Sequence, residues 1–230
     1  MLVAANPVSG INPAHTLAAR DLRLDRGARS IINDLSFGVE AGQALILRGA
    51  NGSGKTSLLR ILAGLTLPDA GTVSWKGEAM NPLSAKWRAA SLYLGHANAL
   101  KDDFSARENL DDALLIDGLA VGLDAQLAAL EKVGLLGQRD VLARRLSQGQ
   151  KRRVGLARLS LALLSAPHQQ LWLLDEPTNA LDADGVSLFT AIIRQHLAGG
   201  GVACIATHLA LELTSAMTEM NLDALTEQTQ

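Results

Sequence analysis

The stretch GANGSGKT, residues 49–56, lies between an apolar run, QALILR, and a run with apolar positions at helical spacing, SLLRILAGL. It fits the pattern G-x-x-x-x-G-K-[ST] through Gly49, Gly54, Lys55 and Thr56. Gly49, Gly52 and Gly54 have no Cβ, so the backbone N–H groups between them can turn inward around a phosphate. Lys55 is placed to reach the β- and γ-phosphates, and the Thr56 hydroxyl to coordinate Mg²⁺. Ala50, Asn51, Ser53 and Ser57 belong to the same cradle and are expected to bind nucleotide with it. A glycine-rich turn matches the same pattern by accident, but a strand before and a helix after are the context a phosphate loop requires.

Outward along the chain, LWLLDEPTNALD (residues 171–182) runs four apolar residues into Asp175 and Glu176. Unpaired buried charge is costly, so two adjacent carboxylates at the end of a buried strand call for a partner. Asp175 is expected to hold Mg²⁺ through water, and Glu176 to polarise an attacking water. Solvated acids at an exposed strand end are the plainer alternative. His208 follows a last buried run, GVACIAT, where an imidazole at a strand's carboxyl end reaches a γ-phosphate. His15, His168 and His196 lack such a context and are expected at the surface.

A second glycine-bearing stretch, LSQGQKRRVGLARL (residues 146–159), opens a basic helix-like run. Free N–H groups and the helix dipole make such a turn an anion site, while Ser147 also serves as an ordinary N-cap. Lys151, Arg152, Arg153 and Arg158 read as a charged helix surface.

The remaining elements give the architecture. LAARDLRL and INDLSFGVE are antiparallel strands around a DRGARS turn, TVSWKG is a further strand, and SLYLG another. Residues 80–91 read as irregular, residues from 105 to about 164 as helical, and residues 209–230 as a polar helical tail. Apolar strands alternating with helices imply an α/β fold with a mostly parallel sheet buried on both faces and its ligand at the carboxyl ends of the strands. The expected organisation is a loose extension over 1–16, one domain over 17–212 with a helical insertion at about 97–165, and a short tail over 213–230.

Bulk composition narrows the function. The 230 residues carry 21 basic and 23 acidic side chains, a balance that offers no general attraction to nucleic acid. No apolar stretch approaches the ~20 residues of a membrane span. Cys204 is the only cysteine, so no internal disulfide forms, which suits a reducing compartment. The N-terminus lacks the basic and apolar regions of a signal peptide.

Taken together, these motifs resemble the ATP-binding cassette (ABC) ATPases over about residues 17–212. GANGSGKT looks like the Walker A loop, LWLLDE like the Walker B strand, LSQGQ like the signature, NALD like the D-loop, and His208 like the switch histidine. The resemblance implies a P-loop fold with a mostly parallel core sheet, an N-terminal antiparallel β part and a helical insertion. It also implies ATP and Mg²⁺ as cofactors, with Lys55, Glu176 and His208 catalytic and Thr56 and Asp175 at the metal. It implies a head-to-tail dimer in which Ser147, Gly149 and the helix N-terminus that follows bind the ATP of the second copy, and it places Gln148, Gln150 and Asp182 among the nucleotide-binding residues. LLRILAGLTLPDAGTVSWKG, SLYLGHANALKDDFSARENL and LSQGQKRRVGLARL look most like the ATP-binding subunits of cytochrome c biogenesis, or haem, exporters. That implies integral membrane subunits of a cytochrome c maturation transporter as partners, at the cytoplasmic face of the bacterial inner membrane. No nucleic acid is expected, and no direct haem ligation, since the chain has no C-x-x-C-H motif.

Three positions depart from the family pattern. Gln148 replaces a glycine and would crowd or supplement the phosphate contact. Arg26 stands where relatives stack an aromatic on adenine, so adenine would stack on a guanidinium plane or be held more loosely. His96 replaces a glutamine; Mg²⁺ prefers oxygen, so His96 is expected at the nucleotide through water or on the membrane subunit, a neutral histidine packed beside SLYLG being the plainer alternative. The rival functions are another ABC importer or exporter, a soluble ABC clamp on nucleic acid or ribosomes, and a nucleotide switch that does not hydrolyse. Long coiled coils or paired cassettes, usual in clamps, are absent from the sequence, and Lys55, Asp175, Glu176 and His208 argue against an inert switch.

Overall fold

A computed structural model describes residues 15–223, except 28, 83, 97–98, 165–169 and 214–216. Most of the expected N-terminal extension, His168 and residues 224–230 lie outside the described residues.

Five short strands form a parallel sheet: β3 (Ala44–Arg48), β6 (Ser91–Leu94), β7 (Leu171–Asp175), β8 (Val202–Ala206) and β9 (Met217–Asn221), in the order β6-β7-β8-β3-β9. The three central strands are almost wholly apolar because both faces are covered. Leu45, Leu47, Leu171, Leu173 and Cys204 face one core with helix α1 (Lys55–Leu62). Ile46, Trp172, Leu174 and Ile205 face the other. That second core is closed by α5 (Gln148–Leu164) and α6 (Ala183–Ala198). A fully buried leucine contributes about 2 kcal/mol, so the pattern fixes the register without help from the loops.

A second, antiparallel sheet packs on the first core, with β1 (Leu17–Arg26), β2 (Arg29–Val39), β4 (Ala70–Trp75) and β5 (Glu78–Ala79) in the order β2-β1-β4-β5. The helical insertion contains α3 (Ala106–Ile116), α4 (Leu123–Lys132) and α5. Helix α3 starts at a capping box: Ser105 Oγ accepts from Glu108 N, and Glu108 Oε2 accepts from Ser105 N at 2.7 Å. These hydrogen bonds hold the Glu108 carboxyl below its ordinary pKa.

Four sequence expectations are corrected. Residues 80–91 contain a helix, α2 (Ala85–Ala90), anchored by buried Trp87, whose indole N–H donates to Leu62 O at 3.1 Å. Six residues are too few to show a helical period. Residues 217–221 of the tail form a strand rather than a helix: β9 pairs in parallel with β3, so the core sheet continues past residue 212. Only Met220 of that strand is buried, which left no alternating apolar signal to read. His196 is not a surface residue; it stacks on Trp172 with ring centroids 3.8 Å apart. Lastly, Arg152 and Arg158 are internal ties rather than a solvated face. Arg158 holds Asp117 with two 2.6 Å hydrogen bonds, and Arg152 is 4% exposed.

Candidate functional site

The site lies at the carboxyl ends of β3 and β7. Gly49, Gly52 and Gly54 have φ of 134°, 85° and 102°, backbone that side chains rarely adopt. Gly54 caps α1 with no side-chain hydrogen bond, which leaves the first N–H groups of that helix for an anion. Lys55 is 7% exposed and folds back over the loop, donating to Gly49 O at 2.6 Å and Ala50 O at 2.9 Å. Ser53 Oγ is buried with no hydrogen-bond partner among the described residues. An orphaned hydroxyl inside a left-handed glycine loop is what a phosphate oxygen would satisfy.

The parallel pairing of β7 with β8 sets Asp175 opposite Ala206, and β7 runs beside α1, so the acidic strand end meets the loop. Thr56 Oγ1 donates to Asp175 Oδ2 at 2.8 Å. Two hard oxygen donors in contact suit Mg²⁺, which takes one or two protein oxygens and fills its shell with phosphate and water. Among the described residues no three His, Cys, Asp or Glu side chains gather to hold a metal alone. Glu176 follows with φ of 49° and is 7% exposed. Its Oε1 lies 3.4 Å from His208 Nε2, so the two strand ends bring this pair together.

An open cleft of about 460 Å³ is lined by Arg26, Arg29, Ile31, Asn51, Gly52, Gly54, Lys55, Thr56, Ser57, His96, Asp175 and Glu176. Arg26 and His96 thus stand at the same cleft as the phosphate loop. His96 is exposed, and its carbonyl accepts from Arg152 Nη2 at 3.0 Å. Burial draws the Arg152 guanidinium below its ordinary pKa, against the opposing pull of Asp175 and Glu176.

Ser147, Gln148, Gly149 and Gln150 do not meet the loop within one chain. Gln148 lines a separate cleft with His96, Lys151, Asn179 and Ala180. Ser147 Oγ accepts from Gln150 N at 3.2 Å, and Gln150 Oε1 accepts from Ser147 N at 2.9 Å, a complete capping box. Asp182 is turned elsewhere: it caps α6 by accepting from Gly185 N and pairs with Arg153 at 2.6 Å. The Gly185 hydrogen bond, with Arg153 beside it, holds its carboxyl below the ordinary pKa.

The sequence of the ABC transporter family matches residues 32–179, more than half of the chain. The chain belongs to the ABC transporter family. It is a cassette ATPase, and it binds ATP. The cassette is 42% identical over 207 residues to the cytochrome c biogenesis ATP-binding export protein CcmA of Nitrosomonas europaea, covering 90% of this chain and 95% of that protein. It is 45% identical to the protein of the same name from Aromatoleum aromaticum, covering 84% and 88%. Among solved structures, it is similar to a putative ABC transporter ATP-binding protein from Pyrococcus furiosus, with a TM-score of 0.75, 23% identity and coverage of 91% and 98%. A dimeric ATP-binding cassette in a post-hydrolysis state, bound to ADP and Pi, gives a TM-score of 0.71 at 22% identity, covering 84% and 88%. No helix among the described residues of the cassette is long and apolar enough to cross a membrane.

One contact at the loop was invisible in the sequence. Both carboxylate oxygens of Asp223, just past β9, accept from Ala50 N, at 3.0 and 2.9 Å. The Gly49–Ala50 peptide is therefore held on both sides, its N–H by Asp223 and its carbonyl by Lys55. Nothing in the composition of the tail marks Asp223; the signal is the strand pairing that carries it there.

Proposed function

We propose that two copies of this cassette bind two ATP molecules head to tail and hydrolyse them to drive a membrane exporter of cytochrome c biogenesis. The observation that carries this reading is the 42% identity, over 90% of this chain, to a protein named for ATP-binding export in that process. Lys55, Asp175 and Glu176 at one cleft, with His208 3.4 Å from Glu176, support turnover rather than passive binding. The named relatives favour integral membrane subunits as partners and the cytoplasmic face of the inner membrane as the place of work.

Each residue then has a task. Lys55 leaves the carbonyls of Gly49 and Ala50 for the β- and γ-phosphates, and the open N–H groups of the loop and of the first turn of α1 bind phosphate oxygens. Thr56 and Asp175 would hold Mg²⁺, which neutralises charge on the β- and γ-oxygens. Glu176 accepts a proton from water as its oxygen attacks the γ-phosphorus and the bridging oxygen leaves with ADP. His208 faces the same phosphoryl group from the next strand end. Arg26 offers a guanidinium plane to adenine. The second copy adds Ser147, Gln148, Gly149 and Gln150, with Asp182 near the interface. His96, at the mouth of both clefts, acts through water or on the membrane subunit.

The test is complementation. The gene is expressed in a bacterium lacking its own cytochrome c biogenesis ATP-binding export protein, and c-type cytochromes are read by haem staining. Wild type restores them and Lys55→Ala does not. Failure of well-expressed wild type, while the purified chain hydrolyses ATP, would assign it to a different transporter.

A further inference from the structure

β3 ends in Arg48, immediately before the phosphate loop, and none of the motifs includes it. Its Nη1 donates to the carbonyl oxygens of Thr207, at 2.6 Å, and Leu209, at 2.9 Å. These are the residues on either side of His208. Its Nη2 donates to Glu219 Oε1 on β9 at 2.8 Å. The Arg48 side chain is 21% exposed, so this ion pair is partly shielded from water. The planar guanidinium fork suits three acceptors at once, which an ammonium does not match.

His208 needs such support. Its side chain is 58% exposed, and its contact with Glu176, at 3.4 Å, is long. An exposed ring on a strand end has rotamer freedom to lose, and little packing holds it. What restricts it is the backbone. Thr207 Oγ1 accepts from Leu209 N at 3.1 Å, so the turn around His208 is closed from inside, and Arg48 then fixes both flanking carbonyls from outside. We infer that Arg48 is a positioning residue for His208, with Glu219 of the C-terminal strand setting the plane of its guanidinium. A polar edge strand with little buried surface thereby acquires a task in hydrolysis: it braces the switch histidine through one arginine. Asp223, from the same segment, braces the loop separately.

The inference rests on His208 acting in hydrolysis, so the experiment carries both questions. ATP turnover is measured for full-length Arg48→Met, Arg48→Lys, Glu219→Gln and His208→Ala, and for each of the first three combined with His208→Ala. Arg48→Met should lower kcat about tenfold with little change in KM, since misplaced catalytic groups cost up to about a hundredfold. Arg48→Lys should recover part of that loss, and Glu219→Gln should lower kcat about threefold while leaving the fold intact. On the His208→Ala background none of the three should lower kcat further, because their path runs through the missing imidazole. Histidine ¹⁵N NMR gives a second reading independent of turnover: the His208 signal moves in Glu219→Gln and in Arg48→Lys, while that of His196 stays. Equal losses with and without His208, or an unmoved His208 signal, overturn the positioning role alone. Undiminished turnover in His208→Ala overturns that role and the assignment of the switch histidine together.

Discussion

The phosphate loop and the signature turn are both glycine-bearing segments that open into helices, yet they are built in opposite ways. At the loop, Gly54 caps α1 in left-handed backbone without any side-chain acceptor. Ser53, Lys55 and Ser57 are buried around it, and Lys55 is parked on carbonyls that it can leave. At the signature, Ser147 and Gln150 cap each other, and Ser147 and Gln148 are exposed. A segment that takes its anion within its own chain leaves donors open and hides them. A segment that meets an anion held by another copy, as proposed for the signature, must be satisfied while it waits in water.

The contrast breaks most visibly at Ser147. Ser147→Arg should remove hydrolysis from the homodimer while ATP binding to the single chain survives. Mixing it with Lys55→Ala should restore about one working site per mixed dimer, since the undamaged halves meet across a head-to-tail interface. Mixed dimers shown to form by differential tags but lacking turnover would place the signature in cis.

Glu176→Gln probes the loop's side. Turnover should drop about a thousandfold, the range of a lost general base. ATP binding should persist, leaving a stable dimer in size-exclusion chromatography with ATP. Unchanged hydrolysis would remove Glu176 from that role.

A control on both ends lies at the other end of the sheet. Burial lowers His196 from 6.5 to about 4, against weaker opposing hydrogen bonds to Val202 and Gln170 carbonyls. The folded chain therefore binds fewer protons than the unfolded chain between these values. The stabilisation is complete above pH 6.5 and fades as the pH falls towards 4. The expected loss by the lower end is about 3 kcal/mol, read by urea denaturation. His196→Phe, which keeps a ring against Trp172, should flatten that dependence. A wild-type curve already flat across the window would mean that His196 charges freely.

The smallest effect sharpens the account of the loop. Asp223→Asn keeps the shape but weakens the hold on Ala50 N–H, so KM for ATP should rise about threefold with kcat nearly unchanged, in line with a charge-assisted hydrogen bond replaced by a neutral one. A fall in kcat alone would instead place Asp223 with the catalytic groups.

Legibility in the sequence followed locality. The loop, the acidic strand end and the capped signature announce themselves because their chemistry requires particular residues within a few positions. The apolar strands were equally plain, being buried on both faces. β9 was not, since its pairing with β3 is made by backbone across the whole chain and its side chains are mostly exposed. Arg48, Glu219 and Asp223 were hidden for the same reason. The charges on α5 misled differently: Arg152 and Arg158 fall in a polar run, but their guanidinium groups reach inward to Gly95 and His96 carbonyls and to Asp117.

One close approach sets the mechanical character of the proposed pair. A Cβ on Gly149 would lie 2.8 Å from Ala180 O, so the signature turn rests directly on the backbone that follows Glu176. In a head-to-tail arrangement the first of these belongs to the partner's nucleotide and the second to the chain's own. Each protomer of such a pair would then be a connecting rod between two combustion chambers, and the absence of a single methyl group keeps that rod short.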